Sequence, residues 1–204
     1  MFNTSEKRER ALGMKLLLKP HRCASPKCAT IRKPQPPGPH GGKRRRGASE
    51  FGLQLREKQK IKAMYGIREA AMQKVFAAAV KATEATGEAM LARLERRLDN
   101  VVYRLGFAPS RSVARQLVGH GHIFMNGRRV DVPSALVSIG NVITIRPASK
   151  EHAGFKDLAE TMKKYEAPVW LLLDKQTLTG KMTAMPKDLE TLFDTNLVVD
   201  YYSK

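Results

Sequence analysis

Residues 110–130 read SRSVARQLVGHGHIFMNGRRV, and the change of period inside this stretch decides the fold class. Ser110 is suited to cap a short helix, because its hydroxyl can accept an N–H from the first turn. Within that helix Val113 and Leu117 mark a face toward a core, while Arg111 and Arg115, four apart, share a different side. Gly119 and Gly121 then end it. Ile123 to Met125 and Arg128 to Val130 flank Asn126-Gly127, the dipeptide best suited to the left-handed backbone of a two-residue turn, so a β-hairpin is predicted. A helix running straight into a hairpin indicates an α+β fold, with helices packed on a small antiparallel sheet.

Outward from this stretch, Val142 to Ile145 predicts another strand after Gly140-Asn141. Upstream, Met90, Leu91, Leu94, Leu98, Val101, Val102 and Leu105 predict helix, broken near Asp99 and ended by Gly106. Ile67, Ala71, Val75 and Ala79 predict an earlier helix, stopped by Gly87. Ser49 is read as the N-cap of a helix marked by Phe51, Leu55 and Ile61, bearing Arg56, Lys58, Lys60 and Lys62, and ending near Gly66. Downstream, a helix is predicted from Phe155 to Tyr165, a strand from Val169 to Leu173 and a closing strand from Leu197 to Tyr202. The first 48 residues hold Pro20, Pro26, Pro34, Pro36, Pro37 and Pro39, then Gly41, Gly42 and the run Lys43 to Arg46. Such a segment is expected to be an extended arm that only a bound partner orders.

The 204 residues carry 37 Lys and Arg against 19 Asp and Glu, a formal net charge of +18. That imbalance points to a polyanionic partner, since counterions released from a phosphate backbone drive association. The charge is also uneven: 17 basic and 4 acidic residues lie in 1–62, 13 and 6 in 63–150, and 7 and 9 in 151–204. The anion-facing surface is therefore expected in the first two thirds. Apolar runs such as Phe76 to Val80 and Trp170 to Leu173 fall far short of the roughly 20 residues a bilayer requires. Nor does the start of the chain, with Glu6, Lys7, Arg8 and Arg10, have the order of a secretory signal. A cytoplasmic location without membrane contact is expected, in which Cys23 and Cys28 are two reduced thiols.

The stretch from Leu91 to Ile145 strongly resembles the RNA-binding module named after small-subunit ribosomal protein four. HRCASPKCA, PPGPHGGKRRR, FGLQLREKQKIKAMYG and the terminal LVVDYYSK are similar to the bacterial form of that family, in order along nearly the whole chain. The resemblance implies a basic arm at 1–48, a helical part at 49–90, the RNA-binding module at 91–150, and a remainder at 151–204 that completes the fold. It implies a structural ribosomal protein with no catalytic residue, cofactor or small-molecule substrate, while Cys23 and Cys28 are expected to hold no metal because this chain departs from the family there. Such proteins bind small-subunit ribosomal RNA at a multi-helix junction, nucleate assembly of the subunit body and contact small-subunit protein five. With proteins five and twelve they influence decoding accuracy, and beside proteins three and five they line the messenger RNA entry path. The residues matched as RNA contacts are Lys43, Arg44, Arg45, Arg46, Arg56, Lys58, Lys60, Lys62, Arg97, Arg104, Ser110, Arg111, Arg115, His120, His122, Asn126, Arg128 and Arg129. Arginines suit that task, because a folded duplex is read through its shape and phosphates and the guanidinium grips phosphate with two donors.

Other chemistries fit less well. Many family members carry a four-cysteine metal site; here Cys23 and Cys28 match its second half, but Glu6 and Glu9 stand where the first pair falls. His21 or His40 are the remaining candidate ligands, and carboxylates suit a structural zinc poorly. Gly119-His120-Gly121-His122 faintly resembles a signature of class I aminoacyl-tRNA synthetases, as Lys181-Met182-Thr183 does their lysine loop, but no large nucleotide-binding domain precedes them. Pseudouridine synthases also carry the module; they need a further catalytic domain, and the remainder's Asp174 and Asp188 are isolated in an acidic tail. A free RNA-binding regulator is the alternative of another class, distinguished by failure to cofractionate with small subunits. Purified chain is expected to prefer small-subunit junction RNA over a generic duplex, with log affinity falling steeply against log salt if on the order of 6 phosphates are neutralised. Equal affinity for unrelated duplexes at every salt concentration would contradict this.

Overall fold

Caps and glycines set the ends of the helices. The structure, a computed structural model, describes residues 5–42, 47–149, 155, 158, 162, 165–187, 189 and 191–203, without the side chains of Ser5 and His21. Helix α4, Glu50–Tyr65, starts where the Ser49 hydroxyl accepts the Gly52 N–H at 3.2 Å and stops where Gly66 turns left-handed at φ 62°. The αL residue lets the Ile67 N–H return to the Lys62 carbonyl, closing the helix end. The chain forms two compact units, Met1–Met90 with Glu190–Lys204, and Leu91–Leu189.

In the first unit α1 (Ser5–Leu12), α2 (Pro20–Cys23) and α3 (Ala29–Arg32) precede α4, and α5 (Glu69–Ala79) and the first half of α6 (Thr86–Glu95) follow. Three helices therefore form in a segment expected to be extended. The prolines do not prevent them, because Pro20 begins α2, where its missing N–H costs nothing, and the others lie outside the helices. Lys43 to Arg46 lie outside the described residues. Gly87 does not stop α5, which ends at Ala79. It sits within α6, where a Cβ would come within 3.2 Å of Thr195.

The expected closing strand is a helix, α9 (Thr195–Ser203), packed on α4. Its Val and Tyr content favours a strand locally, but in a helix Val198 is fully buried and Tyr202 stacks on Phe76 at 5.0 Å. Asp194 also accepts the Asn196 N–H at 2.8 Å, and that capping bond starts the helix. Tertiary burial outweighs propensity here.

The second unit has α7 (Leu98–Arg104) and α8 (Arg111–Gly119) on one five-stranded antiparallel sheet. Its strands are β1 (Ile123–Met125), β2 (Arg128–Arg129), β3 (Val142–Ile145), β4 (Leu171–Asp174) and β5 (Thr179–Met182), in the order β2-β1-β3-β5-β4. Asn126 and Gly127 have φ of 52° and 76°, the positive values a type I′ turn requires, so the hairpin forms as its sequence foretells. The strand expected at Val169 to Leu173 begins two residues later, and β5 carries no clear signal because Gly180 interrupts it. That glycine is needed: a Cβ would come within 2.4 Å of Leu105. Thus residues 171–182 extend the sheet of the module rather than forming a separate element beyond it. Of the helix expected from Phe155 to Tyr165, Phe155, Leu158 and Met162 are helical and buried, Tyr165 is not helical, and the rest lie outside the described residues.

The core of this unit gathers Leu98, Val101, Val102 and Leu105 of α7, Ala114 and Val118 of α8, and Ile123, Ile143 and Ile145 of the sheet. Val113 and Leu117, expected to face this core, pack against it half-buried, while Ala114 and Val118, one residue on, are the fully buried residues of α8. Leu98→Ala is therefore expected to cost about 2 to 5 kcal/mol and Leu117→Ala clearly less. Urea midpoints at unchanged slope measure both, and equal losses would contradict the assignment.

Candidate nucleic-acid interface

Between α6 and α7 the chain turns at Arg96 and Arg97, and two carboxylates just beside the turn, Glu95 and Asp99, are almost wholly buried. A buried carboxylate must be hydrogen-bonded and paired with cations. Glu95, 1% exposed, takes Arg104 in two-pronged fashion at 2.9 Å for each oxygen and accepts the Asn100 amide at 2.7 Å. The other end of Asn100 accepts Arg111 Nε at 2.8 Å, and the Arg111 guanidinium lies 4.6 Å over the Tyr103 ring. Asp99 takes Arg97 at 2.8 and 3.0 Å, with Arg115 Nε at 3.9 Å. Two carboxylates thus orient Arg97, Arg104, Arg111 and Arg115, leaving a surplus of positive charge on α7 and α8. Arg97 is itself buried, whereas Arg104, Arg111 and Arg115 are part-exposed. Orientation by a buried anion removes side-chain freedom before any ligand arrives.

Ser110 also sits here, but its hydroxyl accepts the Val113 N–H at 3.3 Å as the cap of α8, and the residue is 8% exposed. Arg128 and Arg129 are exposed on β2. Gly121, at φ 75°, lies under the Arg129 guanidinium so closely that a Cβ would come within 2.3 Å of its Nε. This brings the hairpin arginine to the loop that follows α8. His120 is exposed there, while His122 Nδ1 is 2.9 Å from Ser149 Oγ. Asn126 accepts the Val142 N–H at 2.8 Å through its side chain, so it braces the turn. Arg93, Arg96 and Arg146, not among the matched contacts, are part or fully exposed as well, and the doublet Arg96-Arg97 after Arg93 is the sequence signal for the first two. Arg96 donates to the Val137 carbonyl at 2.9 Å, and burial lowers its pKa.

On α4 the four cations do not act alike. Arg56 is exposed, but Lys58 and Lys60 are buried, and Lys60 pairs with Glu57 at 2.6 Å. Lys58 and the half-buried Lys62 converge on Glu69 at 3.1 and 2.6 Å, where Tyr202 also donates at 2.6 Å. Burial alone would raise the Glu69 pKa, yet the bonds from Lys62, Tyr202 and Lys58 outweigh it and hold it at about 2. Burial and the same carboxylate push the Tyr202 hydroxyl upward. Lys58 and Lys60, expected to reach RNA, instead direct their ammonium groups to carboxylates inside the unit, since a buried cation left unpaired would be costly. The expected contacts Lys43, Arg44, Arg45 and Arg46 lie outside the described residues.

The residues around Cys23 and Cys28 do not fit a zinc ion. Glu9, 1% exposed, spends its carboxylate on the N–H groups of Leu16 and Leu18 at 3.0 and 3.1 Å, with Cys23 Sγ at 3.8 Å. Glu6 pairs with Arg22 at 2.7 Å, and Cys28 Sγ lies 2.9 Å from the Thr30 hydroxyl. Burial pushes the Cys23 thiol up, away from the thiolate a metal needs. Among the described residues no three metal-binding side chains gather, His40 is exposed, and the side chain of His21 lies outside the description. A buried carboxylate accepting the N–H groups of Leu16 and Leu18 closes this segment instead.

Two family models match in tandem: the ribosomal protein S4/S9 N-terminal domain over residues 3–95 and the S4 domain over residues 96–143. A curated protein of Alkaliphilus oremlandii named small ribosomal subunit protein uS4A is 50% identical over 194 residues, covering 94% of this chain and 93% of its own. The proteins named small ribosomal subunit protein uS4 from Thermus thermophilus and Syntrophomonas wolfei are 47% and 46% identical over the same shares.

Removing the Glu9 carboxylate leaves one buried and one part-buried N–H group without their acceptor, so Glu9→Ala is expected to destabilise the first unit by about 2 kcal/mol. Cys23→Ser with Cys28→Ser is expected to cost about 1 kcal/mol or less. Denaturation with and without a chelator checks both; stoichiometric zinc lost together with the fold would overturn the carboxylate assignment.

Proposed function

Because the chain belongs to the ribosomal protein S4 family, we propose that it is a structural constituent of the small ribosomal subunit that binds ribosomal RNA and carries out no catalysis. It works in the cytoplasm as part of that particle. No helix among the described residues is long and apolar enough to cross a membrane. The single observation that carries the reading is the arginine set of α7 and α8, oriented from beneath by Glu95 and Asp99. A guanidinium held in place by one carboxylate meets an RNA phosphate at a fixed angle, which suits a junction of fixed shape. Arg104, Arg111 and Arg115 form this part of the surface, Arg128, Arg129 and His120 extend it past the hairpin, and Arg56 contributes on α4. The +18 charge supplies the long-range attraction.

The finer roles are those that membership of this family implies. A rigid protein that grips several RNA helices early lowers the entropy of forming the junction, so it nucleates assembly of the subunit body. Protein five of the small subunit is its direct neighbour, and with proteins five and twelve it influences decoding accuracy. With proteins three and five it also borders the messenger RNA entry path.

Arg128→Gln with Arg129→Gln is expected to weaken junction RNA binding and lower the log–log salt slope by about 2, one for each lost phosphate contact. Stability should stay within about 0.5 kcal/mol, because both side chains are exposed. Arg111→Gln differs, since it also strips a partner from the Glu95 network, and is expected to lower both binding and the thermal midpoint. Parental RNA affinity in all these variants at near-physiological salt would mean that another surface holds the RNA. Reconstitution of small-subunit particles with the chain omitted tests the assembly role: particles whose body forms at the normal rate would refute it.

A further inference from the structure

Between α1, α4 and the start of α5 lies a cleft of about 410 Å³, a size at which small ligands are held. The helices on either side of it carry alanines, Ala11 on α1 and Ala63 on α4, so space that larger side chains would fill stays open. Its inner part is apolar, since Ala63 and Ile67 are buried and Leu12 is half-buried. Its mouth is polar. Arg8 and Arg68 are exposed there, and among the described residues neither guanidinium has a hydrogen bond or ion pair. Gln59 is exposed on the same lining, and its amide likewise has no partner among the described residues. The lining holds one acid, Glu69, whose charge is already taken by Lys58 at 3.1 Å, Lys62 at 2.6 Å and the Tyr202 hydroxyl at 2.6 Å. Arg8 and Arg68 are thus cations that no carboxylate among the described residues answers.

We propose that this cleft binds one nucleoside monophosphate unit, with its phosphate between Arg8 and Arg68, its base against Leu12, Ala63 and Ile67, and a polar edge of the base on the Gln59 amide. The cleft belongs to the first unit and does not depend on the arginine set of α7 and α8. Two guanidinium forks suit the oxygens of a phosphate. A base supplies the flat apolar face that the inner part needs, together with donors and acceptors along its rim. Other ligands meet only half of the lining. A small inorganic anion reaches the arginines but leaves the apolar part uncovered, and so does the short acidic side chain of a protein partner. A wholly apolar ligand would strip water from two cations and replace none of their bonds. The unit recognised is the same whether it is a free nucleotide or a nucleotide of a bound RNA strand turned into the cleft.

Equilibrium dialysis of the full chain against radiolabelled AMP tests this, with adenosine, inorganic phosphate and polyglutamate as competitors. One saturable AMP site per chain is expected, for which adenosine and phosphate compete about tenfold more weakly or worse, each keeping only part of the contacts. Arg8→Gln with Arg68→Gln is expected to weaken AMP binding about tenfold or more with the thermal midpoint unchanged, because both side chains are exposed. Ala11→Leu, a change between two good helix formers at an exposed position, fills the cleft and is expected to abolish AMP binding while the chain stays folded. Parental AMP affinity in these variants overturns the site, as does the lack of saturable AMP binding by the parent. Phosphate or polyglutamate competing as well as AMP also overturns it, since charge alone then explains the binding. The affinity of Ala11→Leu for small-subunit junction RNA separates the sources: a loss of about tenfold assigns the cleft to a nucleotide of the RNA, and parental affinity assigns it to a free nucleotide. A parent chain that binds AMP but no junction RNA keeps the cleft and overturns the ribosomal RNA reading instead.

Discussion

The carboxylate of Glu95 lies buried among Asn100, Arg104 and Arg111, and the arginine-bearing half of the second unit depends on it. A charge at 1% exposure is tolerable only when cations and amide donors replace the lost water. Those donors come from α7 and from the first residue of α8, so the same bonds that neutralise Glu95 fix the two helices to each other. The Asn100 amide also donates to the Glu95 carbonyl at 2.9 Å, which ties the end of α6 to α7 across the turn. Asp99 repeats the pattern with Arg97 and Arg115. The arginines that give the surface its charge are thus the ones the fold needs, and a phosphate approaching them meets groups already oriented.

The first unit uses a carboxylate in the same way for a different end. Glu69 draws Lys58, Lys62 and Tyr202 together, and this joins α4, α5 and α9 although α9 lies more than a hundred residues downstream. Glu9 performs the smaller version, gathering the backbone of Leu16 and Leu18 beside Cys23. In a chain with a large excess of cations, acidic residues are scarce, and those that are buried act as nodes where several donors meet. This explains how a segment rich in proline and arginine supports short helices: a carboxylate hub and the Arg10 bonds to the carbonyls of Lys33 and Gln35 hold them.

Much of the candidate interface was legible because its signals are local. The capping hydroxyl of Ser110, the Asn126-Gly127 turn and the spacing of Arg111 and Arg115 each act within a few residues, and each is found where the sequence puts it. What escaped depends on distant partners. The spacing of Lys58, Lys60 and Lys62 says nothing of Glu57 and Glu69 taking their charges. Arg97 reads as a surface cation until Asp99 is seen buried beside it. β5 is hidden by Gly180, whose missing side chain makes room for Leu105.

By itself the sequence determined the fold class, the polyanionic partner, the cap and turn positions and the resemblance that names the family, since composition, period and short-range hydrogen bonding need no knowledge of what lies opposite. Only the tertiary structure decided that Leu197 to Tyr202 is helix rather than strand, because burying Val198 and stacking Tyr202 on Phe76 outweigh a modest strand preference. It alone also separated cations that neutralise buried carboxylates from cations that face solvent. A lysine or arginine has the same charge in either place, and the cost of desolvating that charge depends on neighbours that chain order does not reveal.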